Sequence, residues 1–204
     1  MKKIKTYNNF INESLKDKLK GKSEQEILNN IKNLTPKEKL EKGAQYGLLF
    51  LVKQAIEEGV DPSYKNNYAI RHASANGYLD IVKYLLKDER VNPSDGFNYA
   101  IGVASMNGHL DIVKELMKDD RVDPSDENNY AIKYASSRGH LDVVKELLKD
   151  DRVDPSDSDN FAIASASYNG HLDVVKELLK DNRVIDKLSK EELEKYKVNY
   201  LENN

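Results

Sequence analysis

Three histidines are the first candidates for metal chemistry, because they recur at a fixed interval. His109, His140 and His171 each follow a glycine and are 31 residues apart. Ligands of one zinc ion must each come within about 2.1 Å of it, whereas helices of neighbouring repeats stack about 8–10 Å apart. We therefore expect the histidines to anchor the start of a helix. Tyr78 takes the same place in an earlier copy, so an imidazole is not required there.

An acidic cluster near residue 157 resembles a calcium loop only superficially. Asp154, Asp157 and Asp159 lie close together in the sequence. A calcium-binding loop that started at Asp157 would need glycine at its sixth position and glutamate at its twelfth. Those positions hold Ala162 and Tyr168, so we expect a solvated loop and no metal site.

The sequence contains no recognisable catalytic motif. The chain has no cysteine, which excludes disulfides, thiolate zinc sites and cysteine nucleophiles. It also has no phosphate-binding loop, nucleophile elbow or dinucleotide fingerprint. We therefore predict a protein that is not an enzyme, with no catalytic residue and no cofactor.

Charge is high but nearly balanced, with 32 basic and 35 acidic side chains. The first 40 residues carry a net charge of +5 from ten lysines and five acidic residues; the whole chain carries −3, which leaves −8 for residues 41–204. An acidic body favours a basic or neutral protein partner over nucleic acid. Because the sequence has no signal peptide and no apolar run of about 18 residues, we expect a cytoplasmic, monomeric protein with no membrane partner.

A 31-residue repeat organises most of the chain. Gly77, Gly108, Gly139 and Gly170 recur at this interval, and the residues around them recur with them, as in GHLDVVKELLKD at 139–150 and again at 170–181. A fixed period between 20 and 50 residues indicates stacked helical units rather than one closed core.

Apolar spacing predicts two helices in each repeat. The stripe of a second, longer helix consists of Leu141, Val144, Leu147 and Leu148. The stripe of a shorter first helix consists of Ala131, Ile132, Ala135 and Ser136, whose small size permits close packing between repeats. Asp-Pro-Ser and asparagine between repeats predict turns.

This order of turn, short helix, Gly-His-Leu and longer helix resembles the ankyrin repeat, over about residues 36–201. The resemblance implies an all-α fold, an ankyrin-repeat α-solenoid of stacked helix-turn-helix units that binds proteins through a concave face. The repeat is two residues shorter than the usual 33, and Tyr130-Ala131-Ile132-Lys133-Tyr134-Ala135 replaces the usual Thr-Pro-Leu-His motif. The chain is similar in this respect to the short ankyrin repeats of large DNA viruses and phages.

Both ends of the repeat array carry helix-start signals. Thr35-Pro36-Lys37-Glu38 and Ser189-Lys190-Glu191-Glu192 each place a capping residue three positions before a glutamate. We expect a basic helical arm over 1–34, one degenerate and four regular repeats over 35–188, and a C-terminal capping helix over 189–204.

Positions that differ between repeats are candidates for partner contact, because positions that serve the stack must be alike. Those on one face of the first helix, and those at the loop tips, differ most. The predicted partner-binding residues are Tyr64, Lys65, His72, Val103, Met106, Asp126, Glu127, Tyr134, Arg138 and Tyr168.

The first residues suggest a second function. Lys5-Thr6-Tyr7, Phe10-Ile11 and Glu13 resemble the capsid-targeting peptide of internal head proteins in T-even-like phages. The resemblance implies cleavage in Ile11-Asn12-Glu13, after Glu13, leaving Ser14 first. Two hypotheses follow: a protein-binding module, phage-encoded and directed at a host protein, or a structural protein of the virion interior.

Overall fold

A computed structural model describes residues 33–200, with side chains described up to residue 198. This part of the chain forms twelve helices and no strand. The helices are α1 (Pro36–Tyr46), α2 (Leu49–Glu57), α3 (Tyr64–Ala75), α4 (Leu79–Leu85), α5 (Asp95–Met106), α6 (Leu110–Leu116), α7 (Asp126–Ser137), α8 (Leu141–Leu147), α9 (Asp157–Tyr168), α10 (Leu172–Leu178), α11 (Asn182–Lys187) and α12 (Lys190–Tyr200).

The helices stack in pairs, which confirms the predicted α-solenoid. First helices (α3, α5, α7, α9) pack on one another more extensively than the second helices do. Ala131, Ile132 and Ala135 of α7 are fully or almost fully buried, as are Val143 and Val144 of α8. Each repeat thus buries its apolar stripes against its neighbours, and the core runs along the whole stack.

The second helices are shorter than the first, so the predicted order of lengths was wrong. Helix α8 ends at Leu147 after seven residues, whereas the right-handed part of α7 covers residues 130–137. After Leu147 the Asp150 N–H bonds to the carbonyl of Leu147, three residues back. The Asp150 carboxylate then accepts from the backbone N–H and the guanidinium of Arg152, which competes with further helical bonding.

Each of these first helices contains three residues in the left-handed conformation near its start. In α7 these are Glu127, Asn128 and Asn129, with φ values of 51°, 54° and 59°. Asparagine tolerates this region better than most residues. The loop tips predicted from the sequence at Lys65 and Glu127 lie on these turns.

The last residue of each left-handed turn is an asparagine that joins two repeats, and we call these four residues the asparagine ladder: Asn67, Asn98, Asn129 and Asn160. The Asn129 Nδ2 donates to Asp157 Oδ2 at 2.8 Å, and its Oδ1 accepts from the backbone N–H of Asp154 at 2.7 Å. The ladder ends at Asn160, which donates to the carbonyl of Val184 at 3.1 Å and whose Oδ1 has no partner.

The histidines have the structural role expected for them. The Nε2–H of His140 donates to the carbonyl of Met106 in the preceding repeat at 3.0 Å, and its ring covers Gly108. A Cβ at Gly108 would lie 2.7 Å from the His140 Nδ1. Tyr78 covers Gly47 in the same way. Each ring therefore ties one helix start to the glycine of the repeat before it.

Both predicted capping boxes are present. The Thr35 Oγ1 accepts from the Glu38 N–H at 3.3 Å while the Glu38 carboxylate accepts from the Thr35 N–H at 2.8 Å. Ser189 and Glu192 form the same pair of bonds before α12. Most of the predicted basic arm over 1–34, including the peptide around Ile11 and Glu13, lies outside the described residues.

Two further findings concern the described residues alone. No helix among them is both long enough and apolar enough to cross a membrane. In the same range, no group of three or more His, Asp or Glu side chains is arranged to hold a metal ion. The acidic cluster is used locally: Asp154 accepts from the N–H and hydroxyl of Ser156, and Asp157 accepts from Asn129.

Candidate protein-binding face

An aromatic ring follows each asparagine of the ladder and points away from the core. Tyr68, Tyr99, Tyr130 and Phe161 occupy this position. Tyr99 is 48% exposed and Phe161 is 41% exposed, although aromatic side chains are costly to leave in water. We call these four rings, together with Tyr134 and Tyr168, the first-helix face.

Sequence reasoning missed the four repeated rings because it looked for positions that vary. The ring is aromatic in every repeat, so it resembled a position that serves the stack. A usable signal was available: the residues that follow the ring, Ala and Ile, already supply the buried stripe. An aromatic residue that recurs outside that stripe is not needed to fill the core.

The rings form a continuous group in the later repeats. The ring centroids of Tyr130 and Tyr134 are 4.2 Å apart, and those of Tyr134 and Phe161 are 6.4 Å apart. The Tyr130 hydroxyl donates to the Met106 sulfur at 3.5 Å. Burial raises the pKa of Tyr130, with a smaller contribution from Tyr134, so its hydroxyl stays protonated and remains a donor.

Several predicted partner-binding residues are exposed on or beside this face. Tyr168, the last residue of α9, is 91% exposed, and Tyr134 is 36% exposed. Arg138 is exposed just after α7, while Met106 is half-buried through its contact with Tyr130. The structure therefore brings Met106 and Tyr134 together around Tyr130 and places Tyr168 one repeat further on.

Tyr64, Lys65 and His72 form a separate group at the start of the array. The Lys65 ammonium lies 5.5 Å from the Tyr64 ring and 5.9 Å from the Tyr68 ring, and it pairs with Glu41. His72 stacks on Tyr68 at 3.9 Å. Burial lowers the pKa of His72, and the Arg71 charge lowers it further, so the imidazole is neutral at pH 7.

Val103 does not belong to the exposed surface. Only 2% of it is accessible, although it lies at the same position as His72 and Tyr134 in its repeat. A buried valine offers a partner no contact area, so the prediction of Val103 as a partner-binding residue is corrected here. The variation at this position reflects packing as well as surface chemistry.

The two predicted acidic residues at the loop tip have different roles. Asp126 belongs to the asparagine ladder, since its Oδ2 accepts from Asn98 at 2.9 Å. Glu127 is exposed, and within the described part of the chain no hydrogen bond or ion pair engages its carboxylate. Glu127 is therefore available to a ligand, whereas Asp126 contributes charge from a fixed position.

A cleft of about 310 Å³ lies between the tips of α5 and α7. Its aromatic walls are Phe97, Tyr99 and Tyr130, and carboxylates of Asp123, Asp126 and Glu127 also line it. The cleft adjoins Gly102, where a Cβ would come within 3.0 Å of the Tyr130 ring. The site is thus aromatic on its walls and acidic at its edge.

Comparison with known protein families supports the architecture. The profile of the family described as "Ankyrin repeats (3 copies)" matches residues 40–128 and 101–190. A comparison with curated proteins finds none that matches the chain. Ankyrin repeats generally mediate protein–protein interaction and are typically not enzymes. The stacked helix pairs, the glycine–ring contacts and a match that spans most of residues 40–190 show that the chain belongs to the ankyrin-repeat family.

Proposed function

We propose that this protein binds another protein through its first-helix face. The observation that carries the proposal is the group of exposed rings, in which Tyr168 is 91% exposed and Tyr134 lies between Tyr130 and Phe161. Tyrosine is enriched in binding hot spots because it offers a large rigid area together with a polar hydroxyl. The hydrogen bonds and burial of the stack do not require these exposed rings.

The charge distribution supports a basic or neutral partner. Residues 41–204 carry a net charge of −8. Exposed acidic residues, of which Glu127 is one, lie beside the rings at the loop tips. Such a potential favours approach of a basic protein surface and disfavours nucleic acid.

Substitution of the two most distinctive tyrosines tests the proposal. The double variant Tyr134→Ala/Tyr168→Ala removes exposed rings without touching the buried stripe. Immobilised protein is incubated with lysate of the cell that makes it, and the captured proteins are quantified for the wild type and the variant. We expect at least a tenfold loss of one captured protein, since two hot-spot rings contribute about 2 kcal/mol or more.

A matched control lies on the second helices. Lys114→Ala/Lys145→Ala changes two exposed residues of α6 and α8 and is expected to leave capture unchanged. Far-UV circular dichroism and melting curves establish that every variant is folded. Equal capture by the folded tyrosine variant and the wild type, or capture of nothing by the wild type, contradicts the proposal.

The residues around Phe10 favour a second candidate function, that of a component of the virion interior. Lys5, Tyr7, Phe10, Ile11 and Glu13 carry the resemblance to a phage capsid-targeting peptide. Under this hypothesis the arm, rather than the first-helix face, directs the protein to its location. Protein from purified particles would then begin at Ser14 by intact mass, and an uncut amino terminus in that material would refute the hypothesis.

A further inference from the structure

The first helices carry one position that is basic in two repeats and a buried glycine in the repeat between them. This position, three residues after each repeated ring, holds Arg71, Gly102 and Lys133 in successive repeats. Arg71 places its guanidinium 5.5 Å from the centroid of Tyr99, the ring of the next repeat. Lys133 places its ammonium 6.0 Å from the centroid of Phe161 in the same way. The protein itself thus shows what covers a ring of this row.

Tyr130 is the ring whose covering position is empty of charge. The residue that corresponds to Arg71 and Lys133 is Gly102, which has no side chain to offer. Within the described part of the chain, no lysine or arginine lies over the Tyr130 ring. Gly102 is buried against the Tyr130 ring, and the 310 Å³ cleft opens beside both residues.

The edge of the cleft has the charge that a cation requires. Glu127 has a free carboxylate, and Asp126 and Asp123 add two fixed negative charges. A guanidinium can stack on an aromatic face and bind a carboxylate at the same time. The combination is therefore complementary to arginine and repels anions.

Two residues of the cleft conflict with local structural preference. Phe97 is 70% exposed and adopts a left-handed φ of 59°, at a position held by Asn66, Asn128 and Asp159 in the other repeats. Gly102 lies inside a helix, where glycine weakens the backbone. Gly102 leaves room for the Tyr130 ring, whereas the exposed Phe97 ring gains little from burial. Both residues shape the same cleft, and a strained residue in a cleft is typical of a binding site.

We propose that the cleft between Phe97, Gly102 and Tyr130 binds an arginine side chain presented by a partner protein. The guanidinium contacts the Tyr130 ring from the cleft, as Arg71 and Lys133 approach the rings of the next repeats, and it pairs with Glu127. This inference rests on the proposed function, which it makes specific by naming the recognised side chain.

The test is an NMR titration of the full-length protein with a short peptide that has a single arginine among glycines and serines. The same peptide with citrulline, which is neutral and nearly the same shape, is the ligand control. We expect saturable shifts of the Gly102, Glu127 and Tyr130 amide signals with the arginine peptide and none with the citrulline peptide. Equal shifts with both peptides, or shifts spread over all the acidic loops, would overturn the proposal.

Two pairs of variants separate the cleft from the general charge of the protein. Gly102→Arg supplies an internal cation and should weaken peptide binding about tenfold, whereas Ala164→Arg adds the same charge one repeat beyond Lys133 and should leave binding unchanged. Glu127→Gln should weaken binding about threefold, whereas Asp111→Asn, at an exposed site on α6, should not. Equal peptide binding by the two variants of each pair would refute the proposal. If Gly102→Arg does not fold, the comparison of Glu127→Gln with Asp111→Asn still tests it.

Other occupants of the cleft give different outcomes. If a second copy of the chain filled it, the Gly102 and Glu127 signals would shift on dilution without any peptide, which contradicts a partner's arginine. The proposed function can fail separately from the arginine site. If the peptide bound at the cleft but Tyr134→Ala/Tyr168→Ala had no effect on partner capture, the proposal that the first-helix face binds the partner protein would be refuted. Loss of capture by that variant without peptide binding would refute only the arginine site.

Discussion

At the scale of single residues, Phe97 is the clearest case of a side chain chosen against the fold. Its ring is 70% exposed, so it gains little from burial, and its φ of 59° lies where side chains larger than those of glycine and asparagine are disfavoured. Asn66 and Asn128 show that the same backbone is satisfied by asparagine. A ring at this position is explained by what it can contact outside the chain.

We expect Phe97→Asn to stabilise the protein while impairing recognition. The free energy of unfolding should rise by about 1 kcal/mol, because asparagine relieves much of the left-handed strain. Urea denaturation followed by circular dichroism measures this change. Binding of the arginine peptide should weaken in the same variant, and a variant that is less stable than the wild type would refute the assignment of strain to Phe97.

Residue-scale features differ in how far the sequence predicts them. The positive φ of Gly139 and of the equivalent glycines in the other repeats can be predicted from the repeat pattern, because a first helix ends just before each of these glycines. The burial of Val103 does not follow, since its position is polar or aromatic in the other repeats. What decides its exposure is the set of side chains from adjacent repeats, and that set is visible only after the helices are stacked.

At the scale of elements, the asparagine ladder explains how neighbouring repeats keep their register. Each of its first three members both donates to the next repeat's aspartate and accepts from its backbone, as Asn98 does with Asp126 and the Asp123 N–H. Asn160 departs from this pattern because α11 supplies only the Val184 carbonyl. The ladder therefore distinguishes an interior repeat from a terminal one.

We expect Asn129→Ala to lower the free energy of unfolding by about 3 kcal/mol. The change removes two bonds across the repeat boundary, one of them to a carboxylate. Asn160→Ala is the matched control and should cost about half as much, because it removes one bond and an acceptor that is already unpaired. Equal losses in urea denaturation would mean that the ladder bonds contribute nothing beyond the backbone preference of asparagine.

Helix pairing and capping are the part of the element scale that the sequence predicts well. Apolar periodicity, a recurrent glycine and the Thr35 and Ser189 capping boxes are all local signals. The length of the second helix is not local in this sense: it depends on whether Asp150 bonds to Arg152 or stays in solvent. The bonds of the asparagine ladder could not be predicted from the sequence for a related reason: the preference of asparagine for turns is already enough to explain its presence there.

At the scale of the whole molecule, neutral histidines make the stack sensitive to mild acid. Burial lowers the pKa of His140 from its ordinary value of 6.5, and burial also lowers that of His72. In the unfolded chain both groups keep the ordinary value, so below about pH 6.5 the unfolded state binds protons that the folded state does not. The free energy of unfolding therefore falls as the pH drops from 7 toward 5.

The substitution His140→Tyr should reduce this pH dependence. A tyrosine does not titrate in this range, and Tyr78 shows that its ring can cover the preceding glycine. Urea denaturation at pH 7 and at pH 5.5 is expected to give a smaller difference for the variant than for the wild type. An identical difference would show that the His140 imidazole does not couple protonation to folding.

The alternation of basic and small residues along α3, α5 and α7 determines which rings have an internal cation beside them. Arg71 and Lys133 each place a cation near a ring of the next repeat, whereas Gly102 places none near Tyr130. Replacing Lys133 with glycine would remove the cation near Phe161 and leave a second ring without an internal cation, one repeat away. A repeat array of this kind can thus match the spacing of positive charges in its target through the repeats that lack a positive charge of their own at this position.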